Sequence, residues 1–349
     1  MRKVNLSERK KKILSAVIDE SIKTAEPVSS KDVQEKYVRD CSPATIRNEL
    51  MALEEMGFLS QPHTCSGRIP TTEGYKMYVD ELMQVKKLSK KETEMLRDSF
   101  DNHLVNLDDI MQKAAKTISD ATNYASVVYY GIASEAVVDK ILLVPVSKFS
   151  TLVIVSTDLG IIKEETSQIV ASEEEMMQAS KILTKVFGGK KLEEIENGYI
   201  LVTKELARYK DIFDTIIQII TKRDNDISKN MAVSGKDKLL DYPEYHDIGK
   251  LKNAISVLDK KELLYPLIAG DGDLEISVKV GGDEKLGIKD CSVVSATYKV
   301  NGKTIGSAGV VGPLRMDYGK VVSILKNVTD ILEENITSKT EKENKDEQK

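Results

Sequence analysis

The 349-residue chain carries 51 Lys+Arg against 56 Asp+Glu, a net charge of −5, with 41% apolar and 31% charged residues. That length suits two or three domains and that apolar content suits packed cores, while the acidic balance excludes a uniformly basic nucleic-acid coat protein, so any nucleic-acid site is a local patch. No apolar run reaches the about 18 residues of a membrane helix, the basic start MRKVNLSERKKK leads into no signal-like apolar stretch, and Cys41, Cys65 and Cys291 are too few and too scattered for a disulfide framework; a reducing, cytoplasmic setting is expected.

Residues 1–85 read as one unit. Ser7 is placed to cap a helix whose apolar residues Ile13, Leu14, Val17, Ile18 and Ile22 fall at helical spacing. Ser29 and Ser30 open a short second helix, with Asp32 completing a capping box. Ser42-Pro43 starts a third, because Ser suits the N-cap and Pro suits the first helical position. Ile46, Leu50 and Leu53 give that helix its buried face, and Gly57 ends it. Phe58–Gln61 and Arg68–Pro70 read as a short ribbon, and a last helix runs from Thr72 through Tyr75, Tyr78, Val79 and Leu82. Three helices followed by a ribbon is the order of a winged helix-turn-helix.

Residues 86–122 read as mainly helical. Strands are then expected at Ala125–Tyr130, Lys140–Val146, Thr151–Ser156 and Ile161–Glu165, followed by helix over roughly 172–224. Asn301-Gly302 between Ser292–Val300 and Lys303–Val311 is a strong hairpin signal, since both loop residues tolerate positive φ. A helix carrying Val321, Val322, Leu325, Val328 and Leu332 on one face follows, and the tail 338–349, with nothing apolar, is expected to be disordered. The chain is thus an α+β multidomain protein: a winged helix at 1–85, a sheet domain at 86–170 plus 226–337, a helical insertion at 171–225 and the tail.

The third helix is the candidate reader. With Ile46 turned inward, Ala44, Asn48 and Met51 project outward, flanked by Thr45 and Arg47. Arg pairs bidentately with guanine and Asn with adenine. The loop Gln61–Thr72 has no acidic residue and offers His63, Thr64, Ser66, Gly67 and Arg68, which suits a wing lying on phosphates. Arg2, Lys3, Arg9, Lys10, Lys11 and Lys12 could add non-specific phosphate affinity, or form only a solvated charge run. In the insertion, Leu206, Tyr209, Phe213, Ile216, Ile217 and Ile220 form an apolar stripe that reads either as a dimer seam or as core packed on the helix with Met176, Met177, Ile182 and Leu183.

Several motifs together resemble a known family. Ser42-Pro43-Ala44-Thr45-Ile46-Arg47-Asn48-Glu49-Leu50, Leu53-Glu54-Glu55-Met56-Gly57-Phe58-Leu59, Ser66-Gly67-Arg68-Ile69-Pro70-Thr71 and Gly74-Tyr75 are similar to the heat-inducible transcription repressor HrcA family. So are Pro243-Glu244-Tyr245-His246-Asp247, Asp290-Cys291-Ser292, Ala296-Thr297-Tyr298 and Gly309–Tyr318 near the other end. The resemblance spans about 1–337 and is weakest over 171–225. It implies a winged helix, a GAF-like α/β domain and a dimerising domain inserted into the latter. It further implies a dimeric repressor of chaperone operons that binds an inverted repeat called CIRCE in double-stranded DNA and is kept active by the GroE chaperonin. Family members commonly carry a small residue where Cys65 stands, so a thiol in the wing raises the question of oxidation.

Three other readings compete. An enzyme would need more than the His63–Cys65 pair, which has no carboxylate nearby to orient the imidazole. No Cys/His spacing for a metal exists, and Gly302, Gly306 and Gly309 precede no Gly-Lys-Ser/Thr, so neither metal nor cofactor is expected. A small-molecule sensor using the GAF-like domain is an alternative that is compatible with repression. A scaffold without DNA binding is the third.

Overall fold

The computed structural model describes residues 6–63, 67–100, 107–131, 137–158, 162–168, 171–191, 230–269, 275–281, 290–300 and 302–346. Local signals build the first helices as the sequence predicts. Ser7 Oγ accepts from the Lys10 amide at the start of α1, Glu8–Thr24, and Ala25 ends it in the left-handed region at φ 59°. α2, Ser30–Lys36, opens with the reciprocal Ser29–Asp32 capping box, and α3, Pro43–Glu55, opens on Ser42 with Pro43 at its first position. Ile13, Leu14, Val17, Ile18, Ile46 and Leu53 form the buried core between them. Glu20 is buried among these helices. Lys36 and the Tyr37 hydroxyl bond to it, and with Lys36 the larger influence they hold its carboxyl below the usual carboxylate range.

β1, Leu59–Ser60, pairs antiparallel with β2, Ile69–Pro70, and beside them Val28 forms a single antiparallel bridge with Arg68 through two backbone bonds, 2.9 and 2.8 Å. A Cβ at Gly67 would strike the Val28 carbonyl, so this close backbone approach requires glycine. α4, Thr72–Met77, runs into a π-helical turn, Tyr78–Leu82, that buries Tyr78. The following linker lies against a later helix: Lys86 N donates to Gly319 O at 3.4 Å, Lys86 Nζ meets Asp317 at 2.6 Å, and the Lys86 carbonyl accepts from Ser323 Oγ.

α5, Lys90–Asp98, and α6, Leu107–Thr122, precede the sheets. The described strands after the wing are β3 (Ala125–Tyr130), β4 (Val138–Ser147), β5 (Ser150–Thr157), β6 (Ile162–Ser167), β7 (Met231–Ser234), β8 (Ile276–Val280), β9 (Cys291–Val300) and β10 (Lys303–Pro313). Helices α7 (Glu173–Phe187), α8 (Ile248–Asp259), α9 (Lys261–Ile268) and α10 (Tyr318–Asp346) complete the order, with short 3-10 turns at 236–241 and 243–246. One sheet has the order β7-β3-β10-β9-β8. The β9–β10 hairpin forms as predicted, with Gly302 at φ +78°. The predicted apolar face of α10, from Val321 to Leu332, is buried.

Two compact units divide the chain. One comprises 1–129, 231–297 and 307–329, and the other 130–230, 298–306 and 330–349. Of the expected insertion at 171–225, residues 192–225 lie outside the described residues. The strands β4, β5 and β6 do not extend the sheet that contains β3; they form a three-stranded antiparallel sheet of their own. Each pairs with its chain neighbour across a short connection, which costs less closure entropy than a distant partner. Within this second unit α7 closes the free edge of β4: the Ile141 and Leu143 amides donate to Thr184 Oγ1 and Ser180 Oγ, each at 3.0 Å. α10 continues as helix to Asp346, with no Gly or Pro after Gly319 to interrupt it. No helix among the described residues is long and apolar enough to cross a membrane.

Candidate nucleic-acid interface

The site begins with what holds α3 in place. Its buried residues Ile46, Leu50 and Leu53 pack inward, and Gln34 Nε2 donates to Cys41 O at 3.2 Å across the turn from α2. The opposite face is then fixed by the 3.6-residue period. Ala44, Arg47, Asn48 and Met51 are exposed on it, Met51 by 47%. Thr45 is half-buried, and its hydroxyl lies 2.9 Å from Ser42 Oγ beside the cap.

Arg47 has carboxylates near it in sequence, yet none holds it. Glu49 is engaged by Lys10 at 2.6 Å and Arg9 at 3.8 Å, and Glu54 by Arg68 at 2.8 Å. The guanidinium of Arg47 and the amide of Asn48 therefore stand side by side on an exposed helical face, in the first two turns, with no ion pair and no side-chain hydrogen bond among the described residues. This is the arrangement that direct readout of base edges needs.

Residues 5–83 match the family model described as winged helix-turn-helix transcription repressor, HrcA DNA-binding, and residues 108–322 match that of the HrcA protein C terminal domain. The chain belongs to the HrcA family. It is 37% identical over 342 residues to a heat-inducible transcription repressor HrcA of Pelotomaculum thermopropionicum, covering 95% of this chain and 98% of that one. HrcA proteins of Symbiobacterium thermophilum and Clostridium perfringens are each 33% identical, covering 94% and 96% of this chain and 98% and 100% of their own. A crystal structure of a hypothetical protein, 21% identical, shares the fold with a TM-score of 0.64 over 96% of this chain and 99% of its own.

Arg68, read as a phosphate ligand, is turned inward: its side chain is 14% exposed and its Nε sits 2.8 Å from Glu54 Oε2. The N–H is not aimed along that oxygen, so the contact is a charge pair rather than an aligned hydrogen bond. Arg68 therefore ties the ribbon to the C-terminal half of α3. His63 is exposed at the edge of the loop, and Gly67 serves the backbone approach to Val28. Thr64, Cys65 and Ser66 lie outside the described residues, as do Arg2 and Lys3 and the apolar stripe Leu206, Tyr209, Phe213, Ile216, Ile217 and Ile220.

The N-terminal cations are largely spoken for. Besides Lys10 and Arg9 on Glu49, Lys11 reaches Glu81 at 3.3 Å and Lys12 reaches Asp40 at 3.6 Å. The reading from sequence passed over Arg39. It is exposed in the turn before α3, with Nε donating to Glu35 O at 3.2 Å and no carboxylate partner among the described residues. Glu35, four residues earlier, looks like its natural mate, but Glu35 pairs with Lys31 at 3.7 Å instead. A cation in the turn between the two helices of this motif is positioned for a phosphate. Among the described residues no group of His, Cys, Asp and Glu could hold a metal ion.

Proposed function

We propose that this chain is a sequence-specific repressor of heat-shock chaperone operons in the cytoplasm. Two copies of α3 read an inverted-repeat operator of the CIRCE type, one per half-site. The observation that carries the reading is the exposed, uncommitted pair Arg47 and Asn48 on a helix otherwise anchored by Ile46, Leu50 and Leu53. Ala44, Thr45 and Met51 complete the groove-facing surface, and His63 with the wing loop lies on the flanking backbone.

A two-fold operator calls for a two-fold protein, and linking two weak readers raises their effective concentration. The second unit supports a dimer. On β4 and the following turn, Leu142, Val144, Val146 and Phe149 are exposed, Phe149 by 77%. A cluster of large apolar groups left in water favours a protein partner. The GroE chaperonin keeps the repressor competent in this account, and denatured protein that occupies the chaperonin releases the operons.

A gel shift with an inverted-repeat duplex against a scrambled duplex of equal length tests the reading. Preference for the repeat, saturating at two chains per duplex, is expected. Equal binding to both duplexes, or none, contradicts it.

A further inference from the structure

In the first unit, α5, α6 and the first turns of α10 enclose a cleft of about 250 Å³. Its apolar lining comes from Leu88, Met95, Leu96, Ala121 and Ile324. Met95 is 63% exposed, an unusual position for a large apolar side chain with no partner over it. The cleft lies between helices, not beneath the sheet where the fold analogy for a sensor would put one.

Charge sets the character of the rim. Lys113 and Lys116 approach from α6 and Lys320 from α10, and none of the three has a carboxylate within ion-pair distance among the described residues. The two acids beside them are already engaged. Glu92 accepts from the backbone amide and the hydroxyl of Ser89, each at 2.8 Å, and those bonds, with a smaller contribution from Lys320, keep its carboxyl low. Asp120 is held by Lys238 at 2.7 Å. Three ammonium groups thus stand over an apolar floor with no carboxylate in ion-pair contact among the described residues.

We propose that this cleft binds a short amphipathic carboxylate, its hydrocarbon on Leu88, Met95, Leu96 and Ile324 and its headgroup among Lys113, Lys116 and Lys320. Sites for drug-sized ligands start at about 300 Å³, so a somewhat smaller cleft suits a single short chain rather than a helix of a partner protein. The inference goes beyond DNA reading. It also has a structural connection to it, because Leu88 belongs to the linker whose Lys86 is bound to Asp317, Gly319 and Ser323 of the α10 region. An occupant would touch the strap that carries the winged helix.

Titration calorimetry on the full-length protein tests this with octanoate, its neutral analogue octanol, the shorter butyrate and an acidic amphipathic peptide. Octanoate is expected to bind saturably at one site per chain, with octanol and butyrate at least about tenfold weaker, a difference of about 1.4 kcal/mol. The double variant Lys113→Ala/Lys116→Ala, at one half-buried and one exposed position, should lower octanoate affinity about tenfold and leave octanol unchanged. Ala121→Leu, which fills the cleft and keeps the charges, should abolish octanoate binding, with cooperative thermal unfolding showing that the fold is kept. The proposal is overturned if octanoate gives no saturable signal, if octanol binds equally well, if either variant binds octanoate as the parent does, or if the peptide binds and octanoate does not compete with it.

Discussion

Arg315 grips both oxygens of Glu244, Nε on Oε1 and Nη2 on Oε2 at 3.2 Å, while its Nη1 donates to the carbonyl oxygen of Ile22 at 3.2 Å. Ile22 lies in the last turn of α1, where carbonyls lack helical partners. The guanidinium also lies 5.4 Å from the ring centroid of Tyr242. One side chain, from the loop before α10, thereby satisfies a helix end in the DNA-binding domain and a carboxylate in the segment before α8. A hydrogen bond to a charged group contributes about 1.5–3 kcal/mol, so Arg315→Ala, which removes three of them, should cost at least about 2 kcal/mol and loosen the winged helix from its support. Limited proteolysis should then cut the linker 83–89 faster than in the parent protein, while circular dichroism keeps its helical signal. Unchanged cleavage would mean that the linker bonds of Lys86 hold the domain alone.

Arg68 bears on the wing. Because it pairs with Glu54, Arg68→Ala should leave the salt dependence of DNA binding unaltered and lower thermal stability, by about 1 kcal/mol for a pair that is only partly shielded. A log–log salt slope flatter by about 0.9 would instead show a phosphate contact.

Arg39 should behave in the opposite way. With no carboxylate to brace, Arg39→Ala is expected to weaken operator and scrambled duplexes alike and to flatten the slope by about 0.9, with no change in melting temperature. A melting shift without a slope change would assign it to the turn between α2 and α3.

Glu20 links the winged helix to pH. Its folded carboxyl is lowered, first by the bond from Lys36 and then by that from Tyr37. A depressed folded value means stability that is present above the unfolded carboxylate's pKa and is lost as pH falls through the folded one. Thermal melts should therefore fall with acidification below the usual carboxylate range, and Glu20→Gln should be less stable at neutral pH and flatter across that window. An equally steep fall in the variant would move the effect to other carboxylates.

The legible parts of the fold are those written locally. Ser7, the Ser29–Asp32 box, Ser42-Pro43 and the turn at Gly302 each act within a few residues, and each appears where the pattern puts it. The exposed face of α3 was legible too, because Ile46, Leu50 and Leu53 leave Arg47 and Asn48 only one side to occupy. Sheet membership was not. β3 pairs with β7 across about a hundred residues, Ser126 opposite Ser234, and nothing in either strand names the other. The Val- and Ile-rich stretches that point to β4, β5 and β6 as strands do not say which sheet they join. The pairing of Arg68 was not legible because Glu54 becomes its neighbour only when the ribbon folds back on α3, and Arg39 was hidden by a sequence neighbour that bonds elsewhere.

The central claim is that Arg47 and Asn48 read bases. Its most direct test is the ratio of affinities for the inverted-repeat duplex and a scrambled duplex, measured at one salt concentration for the parent protein, Arg47→Ala and Asn48→Ala. A good bidentate base contact contributes about 1–3 kcal/mol of discrimination, so each substitution should shrink the ratio by roughly tenfold or more while affinity for the scrambled duplex falls only slightly. Equal losses on both duplexes, with the ratio preserved, would contradict the account and leave α3 as a helix that touches only the DNA backbone.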